Sequence, residues 1–408
     1  MLASLLLKRI VTVGTLTVVD AHGKTHVFAG APGPKVTVRL HDKALHHRLL
    51  TNPKLHVGEA YMNGTLTIED GTLYDFLDLA GRNMGALEGH PVQAVQLALA
   101  RFMRFVHTFN PAGRAQKNVA HHYDLSDTLY DLFLDKDRQY SCAYFMTDND
   151  SLEMAQHNKK LHLAAKLRLE PGQKVLDIGS GWGGLALYLA QLSGTDVTGV
   201  TLSVEQQKVS QQRAKDLGLA DRVRFKLLDY RKEDGRFDRI VSVGMFEHVG
   251  AAHYREFFRK VKGLLKEDGV AVLHAIGRMD PPGGTNPWLR KYIFPGGYTP
   301  ALSEVLRAVE LEGLWVTDVE ILRLHYAKTL REWHRRFQAN RDRIRELYDE
   351  RFCRMWEFYL VGCELAFRHM GQMVFQMQLA RRQDAVPLTR DYITEYERAH
   401  TADMLPAM

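Results

Sequence analysis

At residues 245–250 the chain reads MFEHVG, directly after the apolar run RIVSVG. A glutamate, Glu247, and a histidine, His248, thus stand at the end of what reads as a buried strand. A carboxylate is costly to desolvate unless it is paired or has a task. Further along, His274 lies inside the apolar run GVAVLHAIG and Tyr326 inside LRLHYAKTLREW. Carboxyl, imidazole and phenol groups are the ones that hold and move protons in catalysis. Taken singly, each has a plainer reading. Glu247 is then a solvated turn residue, His248 a cap or structural histidine, His274 a satisfied core histidine, and Tyr326 a core aromatic in a strand.

A second chemical signal is VLDIGSGWGG at 175–184. An apolar strand ends at Asp177, and Gly179, Gly181 and Gly183 let the backbone turn sharply and approach a ligand before a helix begins at once. The spacing GxGxG suits a dinucleotide or S-adenosylmethionine. It departs from the dinucleotide form GxGxxG, and the next strand ends GVTLS without the usual acid for a ribose. Thr201, Leu202, Ser203 and Gln206 offer polar groups for hydroxyls instead. The third strand ends in Asp229-Tyr230, an acid and a ring placed for an adenine amine and face.

The elements that must position these residues change character along the chain. Residues 1 to about 85 alternate period-two apolar runs with Gly/Asp turns, around the short helix DKALHHRLLTN. This is a small α+β module, with GEAYMNGTLTIEDG reading as turn-rich. Residues 90–110 read as an amphipathic helix, and NPAGRAQKNVA after it as a linker. From about 151, strands alternate with helices, which predicts an α/β domain on a doubly wound parallel sheet. Late strands are expected in 315–330, and the tail from 331 to LARR reads as one long helical region.

The totals set outer bounds. The 408 residues, with 45% hydrophobic and 25% charged, suit a globular chain of two or three domains. A net charge of +6 and a pI near 9.0 fit an anionic partner, nucleic acid or membrane phosphate, and equally an ordinary solubility margin. Three cysteines without a CxxC pair build neither a disulfide framework nor a zinc ribbon, and point to a reducing cytoplasm. No uncharged run approaches the roughly 20 residues of a spanning helix, so the expectation is a soluble or peripheral protein.

In combination the motifs are specific. YDLSDTLYDLFLD, QYSCAYF, VLDIGSGWGG, TLSVEQ, MFEHVG, HAIG, YIFPGGYTP, LRLHYAKTLREW and CELAFR occur in the order and spacing of the cyclopropane fatty acid synthases, which the chain resembles over about 100–385. The resemblance implies a Rossmann-like S-adenosylmethionine-dependent methyltransferase domain with helical additions over 121–408. A helix and linker would fill 91–120, and a small N-terminal domain, a candidate lipid-docking module, 1–90. It further implies a bicarbonate ion beside the methyl group of the cofactor, held by the Glu247, His274 and Tyr326 side chains and the backbone N–H groups of Cys142 and Ile276. Cofactor contacts would come from Tyr123 as a lid, Tyr140 and Ser141, the turn 176–184 including Trp182, Thr201 to Gln206, and Asp229-Tyr230.

The implied chemistry accounts for this set. A cis double bond attacks the electrophilic methyl, and a carbocation results. Ring closure then requires a base within reach of the new methyl carbon, with water excluded. Bicarbonate is compact enough to be tethered there, and Glu247 can orient it and take the proton onward. A sister activity, methyl or methylene transfer without ring closure, uses the same cation and base; a small-molecule methyltransferase needs no bicarbonate. Cys363, in VGCELAFRHM, matches a cysteine proposed in the family as a nucleophile. The chemistry needs no thiolate, and only Arg368 and His369 stand near as activators, so Cys363 reads as a small residue lining the site.

The implied substrate is an unsaturated acyl chain of a phospholipid, so the expected partner is a membrane surface on its cytoplasmic side rather than nucleic acid, with a homodimer left open. Expected docking features are LLLKRI, the helix 92–106, and the loop 280–300 with Trp288, Tyr292, Phe294 and Tyr298 beside Arg290 and Lys291. Met370, Met373, Val374 and Met377 fall at helical spacings that either adapt to an alkyl chain or pack in a core.

Overall fold

The computed structural model describes residues 4–87 and 126–401. The helix 92–106, the linker after it and Tyr123 lie outside those residues. The described chain divides into two units. One comprises 4–87 with Gly283–Pro295 and Ala327–Gln372, and the other 126–282 with Gly296–Tyr326 and 373–401.

The first unit is built on a four-stranded sheet of β1 (Val13–Val19), β2 (Thr25–Ala29), β3 (Ala31–Leu40) and β4 (Leu66–Asp70), in the order β2-β1-β3-β4. Burial alternates along β1 and the second half of β3, which is the period-two signal of a sheet with one covered face. Of the segment expected to be turn-rich, GEAYM closes the helix Pro53–Met62 and LTIED forms β4, with the turn confined to the residues between. Pro53 starts the helix, and Asn63-Gly64, with Gly64 at φ +70°, stops it. The helix Glu350–His369 packs on Pro53–Met62 and on Leu73–Arg82.

In the loop 280–300 the four aromatics expected to dock differ in exposure, Tyr292 and Phe294 being half-buried. Trp288 and Tyr298 are buried. Trp288 stacks edge-on with Phe358 at 4.8 Å, and its Nε1 donates to Met62 Sδ. Lys291 Nζ and Tyr292 OH both donate to Glu59 Oε1. The Trp288 ring is thus spent on packing within this unit.

The second unit carries a seven-stranded sheet in the order β10-β11-β9-β8-β5-β6-β7. Its strands are β5 (Lys174–Ile178), β6 (Asp196–Thr201), β7 (Val223–Leu227), β8 (Phe237–Val243), β9 (Leu265–Arg278), β10 (Trp315–Ile321) and β11 (Gln372–Ala380). β7, β6, β5, β8 and β9 run parallel. Successive strand residues feed opposite faces. Ile240, Ala271 and Leu273 join a core with the helices Tyr254–Leu264 and Leu302–Glu312. Val241 and Val272 join another with Leu152–Leu167 and Gly184–Ser193. Helices therefore cover both faces, which is why the central runs VLDI, RIVSV and GVAVLHAI are apolar at successive positions, while the edge strand VRFKL alternates.

Three expectations are corrected at this end of the sheet. β11 runs antiparallel to β10, so the sheet is mixed rather than wholly parallel. The late strand ends at Ile321, and the helix His325–Ala339 follows, placing Tyr326 in a helix rather than a strand. Its buried positions Tyr326, Ala327, Leu330, Trp333 and Phe337 have helical spacing. The tail is three helices, His325–Ala339, Arg341–Leu347 and Glu350–His369, followed by β11. QMVFQMQLA is a strand set between β9 and β10; Met373, Phe375, Met377 and Leu379 alternate with Gln376 and Gln378, a period-two signal that the helical spacing of Met370, Met373, Val374 and Met377 obscured.

Candidate active site

A pocket opens at the carboxyl ends of β5, β6, β7 and β8, where a parallel sheet reverses its winding. Its floor is the glycine turn. The N–H groups of Gly179 and Ser180 both donate to the Val200 carbonyl, tying the turn to β6. Gly179 has φ +86°, and a Cβ there would stand 2.8 Å from Met245 Cβ. The turn and the strand that leads to Glu247 can approach only without a side chain between them.

Most of the expected cofactor residues meet in this pocket. Tyr140, Ser141, Asp177, Gly179, Gly181, Trp182, Thr201, Leu202, Gln206, Asp229 and Tyr230 line it. Gly183 and Ser203 support it without lining it. Gly183, at φ +83°, caps the helix Gly184–Ser193 where a Cβ would meet Phe225 and Ser210 at 2.7 Å. Ser203 is the N-cap of the helix Val204–Asp216, its Oγ accepting from Gln206 N. Gln206 Oε1 accepts from Thr201 Oγ1, leaving its amide nitrogen uncommitted. Both Asp229 oxygens are engaged by Arg231, which holds the carboxylate ionised and already paired. Ser180, within the expected turn, also lines the pocket, as do Arg138, Gln139, Arg231 and His248, which were not anticipated. His248 is therefore more than a cap. Burial pushes its imidazole down to about 4, so it is neutral.

The wall 135–145 is organised from below by the helix Leu152–Leu167. Lys159 is fully buried, and its Nζ donates to Gln139 Oε1 at 2.5 Å and to Ser141 Oγ at 2.9 Å. Gln156 Nε2 donates to the carbonyls of Gln139 and Ser141. Lys159 and Gln156, three residues apart, share one helix face. Asp137 accepts from Lys160 and pairs with Arg213, whose Nη1 donates to the Trp182 carbonyl. Wall and glycine turn are thereby joined through one guanidinium. Asp177 is buried, with Oδ2 lacking a hydrogen-bond partner, and burial pushes its carboxyl up to about 7. Ser180 Oγ is likewise buried and unpartnered. Unsatisfied polar atoms in a pocket are where a polar ligand belongs.

Glu247 lies in the 3₁₀ turn Phe246–His248, beside the pocket-lining Met245 and His248. Its Oε1 accepts from Ile276 N at 2.6 Å, and its Oε2 is buried without a partner. Burial pushes the carboxyl up to about 7 against the effect of the Ile276 N–H. The Ile276 amide, expected to face an anion, is thus engaged by Glu247. His274 is two residues earlier on β9, with Nδ1 3.2 Å from Gln376 Nε2. Burial, reinforced by Lys159 and Lys166, pushes it well below the usual histidine range. Cys142 is buried in the segment whose Ser141 stands against Gly244. Phe145 N donates to His325 Nδ1, and Tyr144 stacks on that ring at 4.7 Å. The start of the helix His325–Ala339, with Tyr326, is thus held beside the strand of residues after Cys142.

Cys363 sits in the helix Glu350–His369 of the other unit. Desolvation pushes its thiol up to about 12. Its suggested activators are engaged elsewhere, Arg368 with Glu364 and His369 with Asp78.

The residues fit the two groups implied. The pocket offers unpartnered acceptors at Asp177 and Ser180 for an ammonium or hydroxyl-bearing ligand. Glu247 Oε2 is a buried acceptor in need of a donor, and the O–H of bicarbonate is one.

Sheet order and pocket position define an α/β methyltransferase fold. Residues 111–377 match the family model of mycolic acid cyclopropane synthetase, well over half of the chain, and the protein belongs to that family of S-adenosylmethionine-dependent methyltransferases. Residues 4–88 match a domain of unknown function. The chain is 37% identical over 346 residues to the cyclopropane-fatty-acyl-phospholipid synthase of Escherichia coli (strain K12), covering 84% of this chain and 87% of that one. It is 35% identical over 400 residues to the tuberculostearic acid methyltransferase UfaA1 of Mycobacterium tuberculosis, covering 93% and 91%. Among solved structures, the mycolic acid cyclopropane synthase CmaA1 complexed with SAH and CTAB is 36% identical with a TM-score of 0.61, covering 66% of this chain and 99% of that one.

Proposed function

We propose that the protein transfers the methyl carbon of S-adenosylmethionine as a methylene bridge across a cis double bond of an unsaturated phospholipid acyl chain. S-adenosylmethionine supplies an electrophilic methyl group, and bicarbonate a compact base. The observation that carries the reading is Glu247, one oxygen held by Ile276 N and the other buried without a partner. In the reaction Glu247 orients the base and receives the proton removed from the new methyl carbon. His274 and Tyr326 fix the remaining oxygens, and Cys142 presents its backbone. Asp177, Ser180, Gln206 and Tyr230 bind and orient the cofactor. The buried wall 139–142, clamped by Lys159 and Gln156, keeps water from the reacting carbons.

A second reading has support in the similarity to a tuberculostearic acid methyltransferase. The same site yields a methyl branch if a different proton is lost. The substrate implies peripheral binding to the cytoplasmic face of a membrane; no helix among the described residues is long and apolar enough to cross one. A homodimer would add avidity for that surface.

The test is incubation with S-adenosylmethionine and vesicles of cis-monounsaturated phospholipid, with and without bicarbonate, followed by gas chromatography with mass detection of the released esters. A ring product whose rate falls on bicarbonate removal supports the first reading. A branched product supports the second, and no lipid product overturns both.

A further inference from the structure

His274 has two distinct ring nitrogens. Nδ1 faces Gln376 Nε2 at 3.2 Å, while Nε2 has no hydrogen-bond partner among the described residues. Gln376 is fully buried in β11, the strand inserted beside β9, and its own Oε1 is unpartnered. An amide NH2 group only donates. With the Gln376 amide oriented NH2 to the ring, Nδ1 accepts, and the single proton of a neutral imidazole is then on Nε2.

The direction of that proton matters at an anion site. An Nε2–H can donate to an oxyanion held near Glu247, whereas an Nε2 lone pair would repel it. His274 and Ile276 are two residues apart on β9, and the backbone N–H of Ile276 holds Glu247, so imidazole and carboxylate are both tied to this short stretch of strand. The groups that act on His274 electrostatically are Lys159, Lys166, His162 and Glu320. The two lysines disfavour an imidazolium, which would weaken the basicity of a bound anion.

We propose that Gln376 is a positioning residue that fixes His274 in its Nε2–H tautomer, making it a hydrogen-bond donor to the oxyanion of the reaction. The inference rests on the proposed use of bicarbonate and assigns a role to a residue outside the expected site.

The experiment uses the full-length protein labelled with ¹⁵N-histidine, with the His274 ring signals assigned by their loss in His274→Gln. Long-range ¹H–¹⁵N spectra are expected to show a pyrrole-type Nε2 and a pyridine-type Nδ1. In Gln376→Glu the carboxylate accepts instead, so the proton moves to Nδ1 and the pattern inverts. The variant kcat should then fall about a hundredfold, at the low end of general acid–base effects, with S-adenosylmethionine affinity within twofold. A pyridine-type Nε2 in the unmutated protein overturns the proposal without need of any variant, as does an inverted Gln376→Glu spectrum with kcat unchanged. Loss of the bicarbonate effect with the Nε2–H pattern intact would instead overturn the base assignment, so the two failures are distinguishable.

Discussion

The backbone N–H of Ile276 donates to Glu247 Oε1 at 2.6 Å, so a strand residue holds one carboxylate oxygen of a turn 29 positions earlier and leaves the other unpartnered. The carboxylate is aimed by backbone, not by another side chain. Glu247→Gln keeps the shape and this bond but removes the proton acceptor. Its kcat should fall by about 10²–10⁴, while S-adenosylmethionine affinity, measured by calorimetry, stays within about twofold because the cofactor pocket is lined by other residues.

Burial places the Glu247 carboxyl at about 7, above its ordinary 4.5. At fixed bicarbonate concentration, kcat should rise with pH below about 7 and level above it, as the carboxylate forms. Stability runs the other way. Between 4.5 and 7 the folded state binds more protons than the unfolded one, so this residue's contribution falls as pH rises and then stays low. Glu247→Gln lacks that penalty. Its melting temperature should match the unmutated protein near pH 4.5 and exceed it above pH 7, with a ceiling on the order of 3 kcal/mol. Equal melting temperatures at pH 8 would contradict the buried carboxylate.

Gly183 combines φ +83° with contacts of 2.7 Å awaiting any Cβ. Gly183→Ala should cost about 2–4 kcal/mol, from left-handed strain and overpacking together. Gly172, at φ +78° with nothing within 4 Å of a Cβ, is the control. Gly172→Ala should cost only the backbone term, about 1–2 kcal/mol. Urea midpoints of the two variants separate the causes.

Asp137 gathers Lys160 and Arg213, and Arg213 reaches the Trp182 carbonyl. Burial opposes its charge, yet the two cations hold the carboxyl below its ordinary range. Asp137→Asn loosens the wall and the glycine turn together. The KM for S-adenosylmethionine should rise about tenfold, the effect of roughly one charge-assisted hydrogen bond, with a smaller change in kcat.

Cys363→Ser should keep kcat within about twofold, since a thiol pushed up to about 12 supplies no thiolate near neutrality. A loss of a hundredfold, with the melting temperature unchanged, would restore it as a participant.

The sequence by itself determined the features that are local. The turn 179–183 needs glycines wherever it occurs, because its φ angles are positive and its neighbours close, so the pocket floor was legible in the motif. Short strand-like runs alternating with helical ones made β5 to β9 and their helices legible in order, and with them Asp177, Thr201, Gln206 and Tyr230 as pocket residues. Only the tertiary structure decided what depends on distant partners. Gln376 meets His274 across 102 positions, and nothing near Gln376 in the chain announces an imidazole. β11 read as part of a helical tail although Met373, Phe375, Met377 and Leu379 alternate with Gln376 and Gln378; its place between β9 and β10 is what the fold added. Trp288 suited a headgroup region until Met62 and Phe358 enclosed it. Lys159 carried no mark of its role, since a lysine in a helical run is ordinarily solvated; its burial under Gln139 and Ser141 follows from packing two segments that the sequence shows only side by side. Backbone requirements are written at the residue that has them, whereas the partner of a buried polar group is chosen by the fold.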